Sequence, residues 1–266
     1  MTRSPENYKI YAIKYAHHDR PARDNFIGGD PHDVNMPLDY FVWAIVGEER
    51  TFLVDTGFDR EGGNKRGRTT THAVEEGLAA LGIRPQAVED IIVTHMHYDH
   101  AGNRELFPRA RYHVQDRELA YCTGRCMCHA VLNHPFEAAD VQSMVGRVFD
   151  GRVEFHDGTS TLTPGISLHL VGGHTNGLQV VRVHTERGWV VLASDASHLY
   201  ANMEQKRPFP AVYNVGDMLE GYQIVHGLAD SAHHVVPGHD PDVLRRYPAH
   251  SRATEGWIVR LDADPR

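Results

Sequence analysis

Hydrophobic positions cluster in short runs whose period switches between two and about 3.6, and the places where these runs stop organise the whole chain. Tyr8–Tyr15, Tyr40–Val46 and Thr51–Val54 are rich in aromatic and β-branched residues and predict strands, the last ending at Asp55-Thr56-Gly57. His72–Leu81 predicts a helix, with Val74, Leu78 and Leu81 on one face and Gly82 as its stop. Ile91-Ile92-Val93 is a fully apolar strand that runs straight into His95. This β-β-α-β progression puts a polar cluster at the C-terminal end of a strand, where layered α/β sheets usually carry their chemistry.

Arg111–Val114 predicts another strand, and Asp116–Met144 reads as mostly helical or irregular. Strands resume at Ser167–Val171, Gln179–Thr185 and Trp189–Ala193, each ending near Gly, His or Asp. Gly216–Ser231 predicts an amphipathic helix, because Met218, Tyr222, Val225 and Ala229 recur at helical steps, and His233–Val236 predicts a last strand before Pro237-Gly238-His239-Asp240. Strands and helices mix in both halves, so the class is α/β (α+β) with layered sheets. No repeat or linker divides residues 1–266, which are expected to form one domain with a lid insertion around 116–150.

The strongest chemical signal is Thr94-His95-Met96-His97-Tyr98-Asp99-His100-Ala101-Gly102. In extended backbone, residues two apart point to the same side, so His95 and His97 can grip one ion together. A turn just afterwards swings Asp99 and His100 to a second point nearby. Imidazole and carboxylate suit zinc, iron, manganese or cobalt, and two such sets side by side describe a two-metal site. Histidines also sit in cores satisfied by a carbonyl, but so many within six positions at a strand end argue against that.

Composition changes the picture in three ways. With 27 basic and 35 acidic side chains the net charge is -8, which argues against a broad phosphate-binding surface and so against nucleic acid as partner; the short cluster Lys65-Arg66-Gly67-Arg68 reads as solvated surface. No run approaches the ~20 apolar residues of a spanning helix and the start carries no apolar leader, so no membrane partner and a cytoplasmic location are expected. Three cysteines, Cys122, Cys126 and Cys128, cannot build a disulfide framework; with His129 they offer four potential ligands, but the spacing lacks paired C-x-x-C knuckles, and a thiol-bearing helix or lid is the expectation.

His95-x-His97-x-Asp99-His100 resembles the signature of the metallo-β-lactamase superfamily of metal-dependent hydrolases. Gly173-His174-Thr175, Ser194-Asp195-Ala196 and Pro237-Gly238-His239-Asp240 resemble its later motifs, in order, and Asp55-Thr56-Gly57 resembles an early motif whose aspartate supports the metal loop. The resemblance implies a four-layer αβ/βα sandwich, two mixed sheets flanked by helices, with the site between the sheets. It implies that His95, His97 and His174 bind one divalent metal, that Asp99, His100 and His239 bind a second, and that Asp195 bridges both. Zn2+ is the expected ion, with Mn, Fe or Co as alternatives. A hydroxide bridging the cations would attack the carbonyl, and Asp99 would carry the proton to the leaving group.

Within the superfamily, Asp99-His100-Ala101-Gly102-Asn103, Ser194-Asp195-Ala196-Ser197 and the ending at Asp240 look most like the N-acyl homoserine lactonases, which open the lactone of quorum-sensing signals. Such lactonases usually carry a tyrosine three residues after the bridging aspartate, where this chain has His198, with Tyr200 two further on; Asn176 and Leu178 also stand where the family often shows proline and histidine. His198 is read either as an oxyanion donor titrating near neutrality or as a lining residue. Met36, Tyr200, Phe209 and Tyr213 are candidates for the substrate pocket. The expected partner is a small-molecule lactone or ester, and the expected assembly a monomer or homodimer. Alternatives are a lactonase for another small or aromatic-catabolic lactone, a glyoxalase II-like thioester hydrolase, and a metal-binding signalling module without turnover.

Overall fold

A computed structural model describes residues 5–266. The chain begins with β1 (Lys9–His18), β2 (Leu38–Val46) and β3 (Thr51–Val54), followed by α1 (Arg60–Lys65), β4 (Thr69–Thr70) and α2 (Val74–Ala80). Then come β5 (Asp90–Ile92), α3 (Tyr98–Ala101), β6 (Arg111–Gln115), α4 (Asp116–Cys122), α5 (Ala130–Asn133), α6 (Ala138–Phe149) and β7 (Val153–His156). The second half holds β8 (Thr159–Thr163), β9 (Ile166–Leu170), β10 (Gln179–Thr185), β11 (Gly188–Ser194), α7 (Tyr200–Glu204), α8 (Val215–Leu228), β12 (Val235–Pro237), α9 (Asp242–Arg246) and β13 (Ile258–Arg260).

The first sheet has the order β13-β1-β2-β3-β5-β6-β7, with β4 paired to β1, and the second has the order β12-β11-β10-β9-β8. Both are mixed: β3, β5, β6 and β7 run parallel while β1, β2 and β3 are antiparallel, and β11 pairs β12 in parallel beside antiparallel neighbours. β2 shows why the sheets stack. Phe41, Trp43 and Ile45 enter the core shared with Leu168, Val181 and Val183 of the second sheet, while Tyr40, Val42 and Ala44 enter a separate core with Val74 and Leu78 of α2. A strand buried on both faces reads as a continuous apolar run, as this one does. Met218, Tyr222 and Val225 of α8 cover the second sheet, completing the four layers.

The expected strand at Thr51–Val54 and the one at Gln179–Thr185 have the observed bounds, and most others shift by one to three residues. Two differences have clear causes. His233 and His234 form a short 3-10 turn capped by Ser231 ahead of β12, and α8 stops at Leu228, leaving Ala229 extended. The strands β7 and β8 escape the pattern because Val153–His156, though alternating, is only four residues long, and Thr159–Thr163 has a single apolar residue, Leu162.

Candidate metal centre

Strand ends build the site. β3 stops at Asp55, which adopts φ 62° and turns its carboxylate under the loop that follows β5; Ser194, at the end of β11, adopts φ 44°. Left-handed backbone at non-glycine residues is strained and persists where surrounding contacts hold it. Asp55 is fully buried and accepts hydrogen bonds from Thr94 N at 2.7 Å, Thr94 Oγ1 at 2.8 Å and His100 Nδ1 at 2.7 Å.

These contacts gather the predicted ligands. His95, His97 and His174 offer one group of converging donor atoms, and Asp99, His100 and His239 offer another, all buried and within 4.8 Å inside each group. Asp195 lies between the groups. Its Oδ2 is 3.2 Å from His174 Nε2 and 3.8 Å from His95 Nε2, and its Oδ1 is 3.0 Å from His239 Nε2 and 3.5 Å from His100 Nε2. One carboxylate oxygen therefore faces each set.

The outer ring nitrogens fix the imidazoles from behind. His174 Nδ1 donates to Ala211 O at 2.5 Å and His239 Nδ1 to Asp39 O at 2.9 Å, while His100 Nδ1 is held by Asp55. This aims their Nε2 atoms inward, the arrangement that orients histidine ligands in metal sites; despite burial, the surrounding carboxylates, Asp195 foremost, raise His100 and His239. Burial, reinforced by neighbouring imidazoles, holds His95 and His97 well below the ordinary histidine range, so both rings are neutral as ligands must be. His100 Nε2 and Asp195 Oδ1 are buried with no hydrogen-bond partner among the described residues. Unpartnered buried polar atoms demand an account, and a pair of cations held by these side chains supplies it.

One anchor carries no sequence motif. Glu118 of α4, fully buried, accepts Met96 N at 2.8 Å through Oε1 and both Thr175 Oγ1 at 2.6 Å and Gly177 N at 3.1 Å through Oε2. It joins the loop carrying His95 and His97 to the loop carrying His174. A lone glutamate on a helix gives no signal of this in sequence; only the tertiary contact identifies it.

A cleft of about 340 Å³ opens onto the cluster. Phe209 lines it and stacks on His198, ring centroids 3.4 Å apart and planes 9° apart. His198 Nε2 donates to Asp195 Oδ2 at 2.9 Å, and Nδ1 has no partner among the described residues. Burial pushes its pKa down to about 3, so the ring is neutral and does not titrate near neutrality. A neutral imidazole has one N–H, and here it is spent on Asp195. In this geometry the N–H of His198 meets the carboxylate that lies between the two sets.

The other pocket candidates lie elsewhere. Met36 and Tyr200 line a separate groove, where Arg246 stacks over Tyr200 at 3.7 Å. Tyr213 packs on Tyr121 and its backbone N–H bonds Gly173 O, which holds the His174 loop from outside the cleft. Cys122 is buried, Cys126 partly buried and Cys128 exposed, and with His129 they form no ligand group among the described residues. The 116–150 segment contributes Val131, His134 and Pro135 to the cleft mouth. The cluster expected to be solvated surface is so only in part: Lys65 and Gly67 are exposed, but Arg66 and Arg68 are partly buried and line the same cleft. Another trio, His113 of β6 with Glu154 and His156 of β7, lies away from this cleft; His113 hydrogen-bonds His156 at 3.1 Å and Asp90 at 3.0 Å.

Residues 36–239 match the family model described as the metallo-beta-lactamase superfamily. An N-acyl homoserine lactonase of Bacillus thuringiensis is 27% identical over 193 residues, covering 66% of this chain and 70% of that protein. N-acyl homoserine lactonase AiiB of Agrobacterium fabrum (strain C58 / ATCC 33970) is 26% identical over 189 residues, covering 64% and 66%. Among solved structures, a quorum-quenching N-acyl homoserine lactone lactonase superposes with a TM-score of 0.71 at 23% identity, covering 90% of this chain and 94% of that one. A probable metal-dependent hydrolase from Staphylococcus aureus gives 0.71 at 12% identity, covering 99% and 96%. At such identities the structural likeness speaks for the fold.

Proposed function

The chain belongs to the metallo-beta-lactamase superfamily, and from that premise we propose that it is a dinuclear metallohydrolase that opens lactone rings, with N-acyl homoserine lactones as the first substrates to try. The observation that carries the reading is Asp195, with one oxygen facing each of two histidine-rich ligand sets. The lactonase names of its relatives support the substrate class.

His95, His97 and His174 would hold one cation, Asp99, His100 and His239 the second, and Asp195 both. When bound, two divalent cations supply Lewis acidity and a nucleophile drawn from solvent at neutral pH. Zn2+ suits the imidazole and carboxylate donors. The protein's own residues do the rest. Asp55 and Glu118 fix the ligand loops, His198 and Phe209 hold Asp195 in place, and the apolar wall of Leu38 and Phe209 shields the acyl carbon from bulk water. Hydrolysis joins a water oxygen to the acyl carbon and breaks the ring C–O bond. Asp99, which lines the cleft, is placed to hand a proton to the leaving alkoxide.

A second reading, a lactone of another class, is favoured by the two guanidinium groups, of Arg20 and Arg68, that line the same cleft as Phe209. We place the protein in the cytoplasm as a monomer or homodimer; among the described residues no helix is long and apolar enough to cross a membrane. The test is metal analysis of the purified protein with a pH-stat assay on homoserine lactones of several chain lengths, γ-lactones and a glutathione thioester. Two equivalents of metal and lactone turnover are expected. Robust thioester turnover with inert lactones overturns the lactonase reading.

A further inference from the structure

Arg20 and Arg68 line the cleft that holds the metal ligands, both partly buried. Among the described residues neither guanidinium pairs with an Asp or Glu side chain; Arg66, in the same cleft, holds Glu137 at 2.6 Å, while Arg152, Arg182 and Arg187, outside the cleft, bond backbone oxygens instead. Arg20 reaches only the backbone oxygen of Asp24, and its Nε is buried without a partner. Arg68 donates from Nε to Tyr98 Oη at 3.0 Å and from Nη1 to Arg66 O at 2.8 Å and His18 Nε2 at 3.2 Å, all neutral acceptors. Its Nη2 makes no hydrogen bond among the described residues. Neither of the cleft's own carboxylates pairs with these guanidinia: Asp195 and Asp99 lie 3.0 Å and 3.7 Å from His239 Nε2, and Asp99 acts on Arg68 only through space.

Partly burying two guanidinium groups that have no carboxylate partner is costly. Burial pulls Arg20 below the usual guanidinium range and the nearby Arg68 adds to the pull, whereas Arg68 itself is raised against its burial by Tyr40, Tyr98 and Asp99. Such a pair in a catalytic cleft is an anion site awaiting its anion.

Resting on the lactonase reading, but turning its substrate away from the neutral acyl chains of N-acyl homoserine lactones, we propose that Arg20 and Arg68 form a carboxylate subsite, so that the preferred substrate is a small lactone bearing a carboxylate. The reach is short. The Arg68 guanidinium lies 6.0 Å from the Tyr40 ring centroid, and that ring lies 4.9 Å from the His239 ring, so one aromatic ring separates the subsite from the metal ligands. The carboxylate is therefore a few bonds from the lactone. Flat guanidinium forks match a planar carboxylate, and Tyr40, Phe209 and Pro210 offer the ring of the substrate an apolar seat. An aliphatic chain laid on this wall would desolvate both arginines and return nothing. The reaction stays balanced: water adds to the acyl carbon, the ring C–O bond breaks, and the product is a hydroxy dicarboxylate with one proton released.

The experiment compares 5-oxotetrahydrofuran-2-carboxylate with its 2-carboxamide on the metal-loaded enzyme, by pH-stat turnover and by calorimetric binding. In the wild type the carboxylate is favoured by at least about tenfold in kcat/KM and in affinity, the size expected of a charge-assisted pair. In Arg68→Gln and in Arg20→Gln the ratio falls towards one, through KM, and Arg68→Lys restores part of it. Because Arg68 also anchors Tyr98, Arg20→Gln keeps the test alive should Arg68→Gln fold poorly. Equal rates and affinities for the two probes in the wild type, or a ratio untouched in both glutamine variants, overturn the subsite. If neither probe turns over yet the carboxylate binds tighter and loses that advantage in Arg20→Gln, the lactonase reading fails and the subsite stands.

Discussion

His100 Nδ1 lies 2.7 Å from Asp55 Oδ2, a buried contact across two strand ends that fixes which nitrogen of His100 faces the metal ligands. The same carboxylate receives both the backbone and the hydroxyl of Thr94, so one side chain sets the position of the entire 94–100 loop.

Asp55→Ala is therefore expected to act at a distance from the reacting atoms. It leaves His100 Nδ1 and Thr94 N buried without acceptors, at roughly 1–3 kcal/mol for each lost partner. Removing a carboxylate behind a histidine ligand typically weakens metal affinity by ~10–100-fold. Metal content after dialysis against a weak chelator, with thermal unfolding alongside, checks both effects; unchanged metal retention would count against the anchoring role.

Gly177 allows the His174 loop to pass against α4. A Cβ built there would sit 2.0 Å from Glu118 N and 2.3 Å from Glu118 Cα, both backbone atoms that cannot yield cheaply. Gly177→Ala should cost roughly 3 kcal/mol, lowering Tm by about 6–12 °C in a chain of this size, and should reduce bound metal because Glu118 loses its grip on the loop. Gly146 of α6 is the control: nothing lies within 4 Å of its Cβ position, so Gly146→Ala should be neutral or stabilising by up to ~1 kcal/mol. Calorimetry of the two variants side by side reads the contrast.

His18 supplies a pH dependence of defined sign. Burial, with Arg68 and Arg20 nearby, pushes its pKa from the usual 6.5 to about 4; His17 and Asp19 are its other charged neighbours. The unfolded chain takes up this proton near pH 6.5 and the folded chain only near 4, so between those values the unfolded state binds more protons. The neutral ring's contribution is thus complete above pH 6.5 and is lost as the pH falls through that window. Solvent screening of a partly exposed ring reduces the effect to about 1 kcal/mol. Urea unfolding at pH 7.5, 6 and 5 should show a steeper acid loss in the wild type than in His18→Asn, and parallel curves would refute the assignment.

Several of the residues expected as ligands were legible because they follow a strand whose apolar run is continuous and stops abruptly, whereas Asp99 and His100 fall in α3. His95 follows β5, Asp195 follows β11 and His239 follows β12, and these boundaries are legible without tertiary information. Residues that act through contacts between distant segments were not legible. Glu118 is one carboxylate on a helix, yet it binds two loops 22 and 59 positions away. Arg68 reads as part of a charged surface run until folding turns it into the cleft. Met36, Tyr200 and Tyr213 are apolar near the right motifs, but which wall each faces depends on how α7 and the 205–214 loop return across the sheet, which periodicity does not encode.

His198 separates two chemical roles by two readouts. If the side chain orients Asp195, His198→Ala removes the 2.9 Å hydrogen bond and the stack on Phe209 together, and the bridging carboxylate loses its fixed direction. Metal affinity should then weaken by about tenfold and kcat should fall with it, in the range seen when support behind a ligand is lost. A donor to the developing oxyanion would behave differently: kcat would drop while metal retention stayed at the wild-type level. Phe209→Leu offers an intermediate case, since it keeps the imidazole N–H and removes only the flat surface beneath it. Its effect on metal retention should be smaller than that of His198→Ala and in the same direction. Metal titrations of both variants beside steady-state kinetics decide the matter, and a kcat loss in His198→Ala with full metal retention would return the residue to the oxyanion role.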